Sequence, residues 1–382
     1  MTSRSPQPYH VYLDLDFINN DIASGAKHHE LVFEEVRNAP FLEGDCSNYF
    51  CSIVRFSIQT GASIPVFIPR IDVTQTPLVY TIYKITLNYS TFSVTQAIVY
   101  TPANNTYTTT PLLGTGSTPF AYTNDYYFIY NYQDFIAMVN ACFLSIFLAL
   151  QSAAGTALST TVAPFIVMDP DTNKCILNAD VNFYASTTTP NITIYFNSRL
   201  FELFVGFQNT FLTAVGDLNY LITVNNNRNT NLSTVKPPAT GTTYTYCQMY
   251  QEISSVGMWN PVASLVFCSS VLPICPSQTS TPTIVSNQSD NLSSSGDNAN
   301  LTSILSDFEI AITADNQYRP IILYAPTSEY RLLDLFSGSN LNRINIQVFW
   351  KDHFGNLNPF KIPPGCAAHI KLMFRRKDFY IA

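Results

Sequence analysis

The sequence predicts an all-β protein, built as a β-sandwich or barrel, with one amphipathic helix. About a dozen short segments rich in β-branched and aromatic residues recur at intervals of roughly 8–15 residues, and turn-forming residues separate them. One segment alone has the 3.6-residue apolar period of a helix. Because helices do not alternate with these strands, a parallel sheet of βαβ units is disfavoured.

The composition agrees with that class. Charged residues make up 12% of the 382 residues, against a usual ~25%, and aromatic residues make up 14%. Disordered chains are charge-rich and poor in aromatic residues, so disorder is excluded as the main state of the chain. The length predicts one large or two moderate domains whose core needs no metal or disulfide.

The N-terminal region is acidic. Met1–Pro8 is a polar tail without the apolar stretch of a signal peptide. Val11–Phe17 alternates apolar and acidic residues, which predicts a half-buried strand or a strand that docks on a partner. The net charge of the chain is −7. Because proteins that coat nucleic acid need many cations near the phosphates, no direct nucleic-acid contact is expected.

Strands are predicted along the rest of the chain wherever β-branched and aromatic residues cluster between Pro, Gly, Asn and Asp. They are Tyr49–Thr60, Ile64–Val73, Val79–Tyr89, Phe92–Tyr100, Phe165–Met168, Cys175–Leu177, Val181–Tyr184, Ile192–Phe196, Leu218–Val224, Tyr244–Ile253, Leu265–Val271, Ile304–Ile312, Pro320–Tyr324, Arg343–Phe349 and Ala367–Phe374.

One helix is predicted over Gln133–Leu150. Its apolar residues fall on a single stripe: Phe135, Met138, Val139, Cys142, Phe143, Ile146 and Leu150. Asn131 is placed to cap the start, and Gly155 lies past the end. The apolar run Phe135–Leu150 is shorter than the ~20 residues of a membrane span, so we expect a buried core helix and no membrane span.

No motif indicates catalysis, a metal or a cofactor. The five histidines are dispersed, no C-x-x-C pair occurs among the eight cysteines, and no nucleotide-binding or nucleophile motif is present. We therefore expect a protein that is not an enzyme, with no catalytic residues, no metal site and no cofactor. The cysteines are expected to be small buried hydrophobic residues in a reducing compartment.

The C-terminal segments resemble a known family. They are Ile321–Pro326, Tyr330–Leu335, Ile344–Phe360, Pro364–Cys366 and Ile370–Lys377, and their order resembles the end of the minor capsid (penton) proteins of polinton-like viruses, adintoviruses and related virophage-type double-stranded DNA viruses. Upstream, Ile192–Phe207 resembles a strand of that family followed by its L-x-x-L-x-G-F segment.

The resemblance implies a jelly-roll β-sandwich with an additional or inserted β-rich region. The implied domains are an acidic arm over 1–48, the first part of the jelly-roll over 49–132, the helix with an inserted or second β region over 133–243, and the C-terminal jelly-roll strands over 244–382, with a polar loop at 273–303.

The implied function is that of a structural capsid protein. The chain would form homopentamers that close the five-fold vertices of an icosahedral virion, contact the double jelly-roll major capsid protein of the same virus, and be made in the cytoplasm or nucleus of the host cell. The double jelly-roll major capsid protein itself is the alternative. A carbohydrate-binding or adhesive β-sandwich is a more distant alternative, since no secretion signal is seen.

Two segments are candidate assembly contacts. The first is the alternating strand, which would add to the sheet edge of a neighbouring subunit through its apolar residues. The second is the basic end of the chain, although ordinary solvated faces explain the oppositely charged termini more simply. The candidate residues are Val11, Leu13, Leu15, Phe17, Arg375, Arg376 and Lys377.

Overall fold

The structure is a computed structural model of the whole chain. It describes residues 9–21, 28–60, 64–101, 127–225, 233–235, 244–275, 277–278, 283–285, 292–294, 301–309, 321–325, 331–353, 355 and 357–377.

Strands dominate the described residues. The first part of the chain contains β1 (His10–Ile18), β2 (His29–Glu30), β3 (Val32–Val36) and β4 (Tyr49–Gln59). The middle part contains β5 (Tyr80–Tyr89), β6 (Phe92–Val99), α1 (Tyr132–Ala154), β7 (Phe165–Asp169), β8 (Lys174–Asp180), α2 (Val181–Tyr184), β9 (Ile192–Phe196), α3 (Ser198–Leu203), β10 (Asn209–Phe211), β11 (Tyr220–Ile222), β12 (Ser233–Val235) and β13 (Tyr244–Tyr250). The last part contains β14 (Val262–Cys268), β15 (Ser277–Gln278), β16 (Thr283–Val285), β17 (Leu292–Ser294), β18 (Leu301–Thr302), β19 (Ile304–Glu309), β20 (Ile321–Tyr324), β21 (Leu333–Asp334), β22 (Arg343–Asp352), β23 (Leu357–Pro359), β24 (Lys361–Ile362) and β25 (Ala367–Arg376).

The two ends of the chain form one compact unit, Met1–Ile64 with Pro261–Ala382. One of its sheets has the strand order β1-β25-β4-β20, and the other has the order β3-β22-β14-β19. If these eight strands are numbered along the chain, the orders are 1-8-3-6 and 2-7-4-5, which is the interleaved arrangement of a jelly-roll. The predicted fold class is therefore confirmed.

Alternation along the strands builds the core of the jelly-roll. On β1, Leu13 and Leu15 are 5% and 6% exposed, and between them Asp14 faces solvent. Leu372 on β25 lies opposite Leu13 and is fully buried. Each such side chain contributes about 1.5–3 kcal/mol of burial free energy, so β1 is a working strand of this sandwich.

The pairing of β1 corrects our expectation of an arm that adds to a neighbour's sheet. All nine residues of β1 pair antiparallel with β25 of the same chain, from His10 opposite Arg375 to Ile18 opposite Ala367. The alternating pattern did predict a half-buried strand. The partner lies at the other end of the sequence, where no local pattern announces it.

The middle of the chain forms the second unit, Pro65–Asn260, which we call the insert because it lies between β4 and β14 in the sequence. Its sheets have the orders β10-β11-β9-β5-β6 and β12-β13-β8-β7. This division differs from the predicted boundaries at 49, 133 and 244. Strands β5 and β6 are part of the insert, whereas the 49–132 segment was assigned to the jelly-roll.

The predicted helix is confirmed and forms the centre of the insert. The side chain of Asn131 accepts a hydrogen bond from the Gln133 N–H, and Gly155 ends α1 at a φ of 65°, a conformation that favours glycine. Phe143 is fully buried. Asn140, polar within an apolar run, donates to and accepts from the backbone of Ile166 on β7 at 2.8 and 2.7 Å.

Length and composition alone would allow α1 to cross a membrane. Its apolar stripe is buried in the insert, as predicted for a core helix. An aromatic cluster covers the start of the helix: the Trp259 ring lies 5.2 Å from Phe135 and 5.5 Å from both Tyr132 and Phe204.

Three other segments differ from expectation. Ile64–Val73 makes two isolated bridges and no strand, since Pro65 and Pro69 lack the N–H of a ladder. Val181–Tyr184 is a helical turn capped by Asp180, whose side chain accepts from the Asn182 N–H. The 273–303 polar loop lies largely outside the described residues, and its described parts include the short pairs β15–β18 and β16–β17.

Candidate assembly surfaces

Strand β1 is an edge of its sheet. Among the described residues it pairs with β25 alone, so its outer backbone edge is open to another strand. The side chains that it exposes are Tyr12 (54%) and Ile18 (67%). Of the predicted contact residues, Leu13 and Leu15 belong to the core of this chain, and Val11 and Phe17 are half-buried.

The outward face of the same sheet carries paired charges. Asp14 lies 3.1 Å from the Lys371 ammonium and 3.8 Å from the Arg55 guanidinium. Asp16 lies 2.6 Å from Nδ1 of His369. These residues line an open groove of about 570 Å³ together with Leu323, which is 71% exposed. Exposed pairs of this kind contribute only about 0–1 kcal/mol each, so they shape a charge-balanced surface.

The basic end of the chain contacts residues of its own unit. Arg375 donates through Nε to the Tyr9 hydroxyl at 2.9 Å. Lys377 lies 2.7 Å from the Asp334 carboxylate and 5.1 Å from the centre of the Phe50 ring. Arg376 is half-buried and pairs with Tyr49 in the ladder to β4. The acidic partner of this end is thus Asp334, and the acidic residues of β1 meet Lys371 and His369.

The thiols and acids of the described residues form no reactive centre. No group of three or more His, Cys, Asp or Glu there could hold a metal ion. All eight cysteines are free, and six are buried. Burial raises the pKa of Cys51, Cys142 and Cys175 to about 12, which keeps these thiols protonated and unreactive.

The insert exposes apolar side chains that the sequence analysis did not identify. One set lies on the hairpin between β10 and β11, where Val215 is 82% exposed. Another lies on the outer face of α1, where Leu144 and Leu148 are each 52% exposed. Exposed apolar clusters of this kind mark contact surfaces more often than scattered single residues do.

Comparisons with known proteins agree on one family. A family model described as Sputnik minor capsid protein V18/19 matches residues 11–376. Structural protein V19 of Sputnik virophage is 29% identical over 220 residues, which are 55% of this chain and 93% of that protein.

Two solved structures share the fold. A chain in the 3.5 Å electron cryomicroscopy structure of the Sputnik virophage is 27% identical, with a TM-score of 0.78 over 98% of this chain and 100% of that one. The mavirus penton protein is 14% identical, with a TM-score of 0.61 over 96% of this chain and 99% of that one.

The match over 11–376 includes every strand of the jelly-roll except the first residue of β1, together with the whole insert. The resemblance read from the C-terminal segments is therefore confirmed. The chain belongs to the Sputnik minor capsid protein V18/19 family, and it is a structural protein of the viral capsid and not an enzyme.

Proposed function

We propose that this protein is the penton subunit of its virus, and that five copies form a ring that closes each five-fold vertex. The observation that carries this proposal is the single jelly-roll with a separate insert. The mavirus penton protein has the same fold over nearly its whole length. A double jelly-roll major capsid protein would need a second interleaved pair of sheets, and the described strands of the insert have other orders.

The major capsid protein of the same virus is the proposed second partner. The jelly-roll unit would supply contacts to it and to neighbouring copies through the open edge of β1 and the exposed residues beside it. Main-chain hydrogen bonds at such an edge give affinity, and alternate side chains such as Tyr12 and Ile18 give specificity. Val11, Phe17 and Arg375–Lys377 remain proposed contact residues. Synthesis in the cytoplasm or nucleus of the host cell is part of the same proposal.

Native mass spectrometry of the full chain, alone and mixed with the major capsid protein, tests the proposal. The expected assembly has five times the 42.7 kDa mass of the chain. A trimer would favour a major capsid protein instead. A monomer under both conditions would contradict the proposal.

A further inference from the structure

The hairpin of β10 and β11 ends in an apolar tip, which we define as residues Phe211–Leu218. Within these eight residues, four large apolar side chains face solvent: Phe211 (55%), Leu212 (50%), Val215 (82%) and Leu218 (36%). Burying them on a partner would remove an unfavourable water contact.

Hydrogen bonds hold the tip in this exposed form. Asn219 is 2% exposed; its Nδ2 donates to the Thr213 carbonyl, and its Oδ1 accepts from the Ser198 N–H, both at 2.8 Å. The Leu212 N–H donates to the Asn219 carbonyl at 2.9 Å. Asp217 is the sole charged residue of the tip, and Lys84 neutralises it at 3.1 Å. The tip is therefore a preformed, uncharged apolar projection.

A second uncharged surface lies on the outer face of α1. Leu144 and Leu148 stand one turn apart, each half exposed, among the small exposed residues Ala137, Ala141 and Ser145. No charged residue occurs from Phe135 to Ala154. Small residues around two leucines leave shallow grooves into which apolar side chains of a partner can pack.

These two surfaces lie towards opposite edges of one sheet. The tip joins β10 and β11 at one edge of the order β10-β11-β9-β5-β6, and α1 packs against β5, β6 and β7 near the other edge. At about 4.8 Å between strands, β10 and β6 are roughly 19 Å apart. Two different surfaces on opposite edges cannot meet in one two-fold contact. They fit a head-to-tail contact between identical copies, which closes into a ring when the rotation allows it.

We infer that in the oligomer the tip of one copy packs on the outer face of α1 in the next copy. This inference rests on the proposed ring of identical subunits. The second copy is the occupant favoured here because the chain itself carries both uncharged surfaces at the two edges a ring must join. The six large side chains expose on the order of 500 Å² of apolar surface, less than the roughly 1,200–2,000 Å² of a standard interface, so this contact reinforces a ring that other contacts also hold.

Cysteine crosslinking tests the contact in the full chain. Val215→Cys protein is mixed with Leu148→Cys protein, both in a Cys275→Ser, Cys366→Ser background that removes the cysteines that are not buried. A short bismaleimide linker is added. The expected product is a crosslinked pair that requires both variants, and the double variant should give a ladder that ends at five chains. Val73→Cys, 52% exposed elsewhere on the insert, is the matched control and should not link to Leu148→Cys.

Charge substitutions give a second readout. Val215→Asp or Leu148→Asp should raise the concentration at which half of the chains are assembled by roughly tenfold or more, because a charge is forced into a desolvated contact, whereas Val73→Asp should change it less than about twofold. If pentamers form but no tip-to-helix link appears, the inference is wrong and the proposed function stands. If no oligomer forms, the proposed function fails first. Flotation of the wild type with neutral phosphatidylcholine vesicles, lost in Val215→Asp without any change in assembly, would assign the tip to a lipid surface and overturn the inference.

Discussion

Replacing Phe143 by alanine tests whether α1 is the central core element of the insert. The Phe143 side chain is fully buried, and its ring lies 6.2 Å from that of Phe196 on β9, so its removal leaves a cavity between helix and sheet. A Phe→Ala change in a core costs about 3–5 kcal/mol. The higher helix propensity of alanine returns at most about 0.7 kcal/mol, so the insert should lose most of that amount.

The two tryptophans allow this loss to be assigned to one unit. Trp259 belongs to the insert and Trp350 to the jelly-roll, and both are buried. In a Trp350→Phe background, urea unfolding followed by tryptophan emission reports the insert alone. We expect Phe143→Ala to lower the midpoint by the equivalent of about 3–5 kcal/mol.

Leu144→Ala is the matched control, since this neighbouring side chain is 52% exposed. It should cost less than about 1 kcal/mol, provided that the protein is kept dilute enough to be monomeric. Equal losses for the two variants, or a loss below 1 kcal/mol for Phe143→Ala, would refute the assignment of this stripe to the core.

Three further predictions concern the jelly-roll and the thiols. Leu15→Ala should destabilise the jelly-roll by about 2–5 kcal/mol, measured by Trp350 emission in urea, whereas Tyr12→Ala on the exposed face should cost less than about 1 kcal/mol; equal effects would show that β1 is not part of the core. Partial burial, with Lys361 and His29 nearby, lowers the pKa of His28 from 6.5 to about 4, so the unfolded chain binds more protons between these values and stability should fall as the pH drops from 6.5 to 4. The shift corresponds to at most about 3 kcal/mol, which we reduce to roughly 1 kcal/mol because the imidazole is partly exposed, and His28→Gln should flatten this part of the pH profile relative to the wild type. A thiol reagent at pH 8 should label Cys275 and Cys366 in the native protein and the six buried cysteines only after denaturation; rapid labelling of Cys51 would contradict its burial.

Elements with a strong local signal were predictable from the sequence. The unbroken 3.6-residue stripe and the flanking Asn131 and Gly155 define α1, and the structure adds only a few residues at its ends. Dense β-branched and aromatic runs likewise predict β4 and β25 almost to their bounds. In each case, neighbouring residues determine the conformation and no distant partner is needed to recognise it.

Pairings between distant strands were not predictable in the same way. Strand β1 meets β25 from the opposite end of the chain, and its register depends on which apolar residues face the shared core. The start of the insert was missed because β5 and β6 have the same composition as β4 before them. The apolar tip was missed because exposed Phe and Val in a short hairpin look like core residues until the fold places them at an edge.

An averaged electron cryomicroscopy reconstruction of purified virions tests the central claim most directly. The account predicts five copies of this chain at each five-fold vertex, with a single jelly-roll and one insert visible in each copy. Density for this chain in pseudo-hexameric trimers across the facets, with a different protein at the vertices, would contradict it.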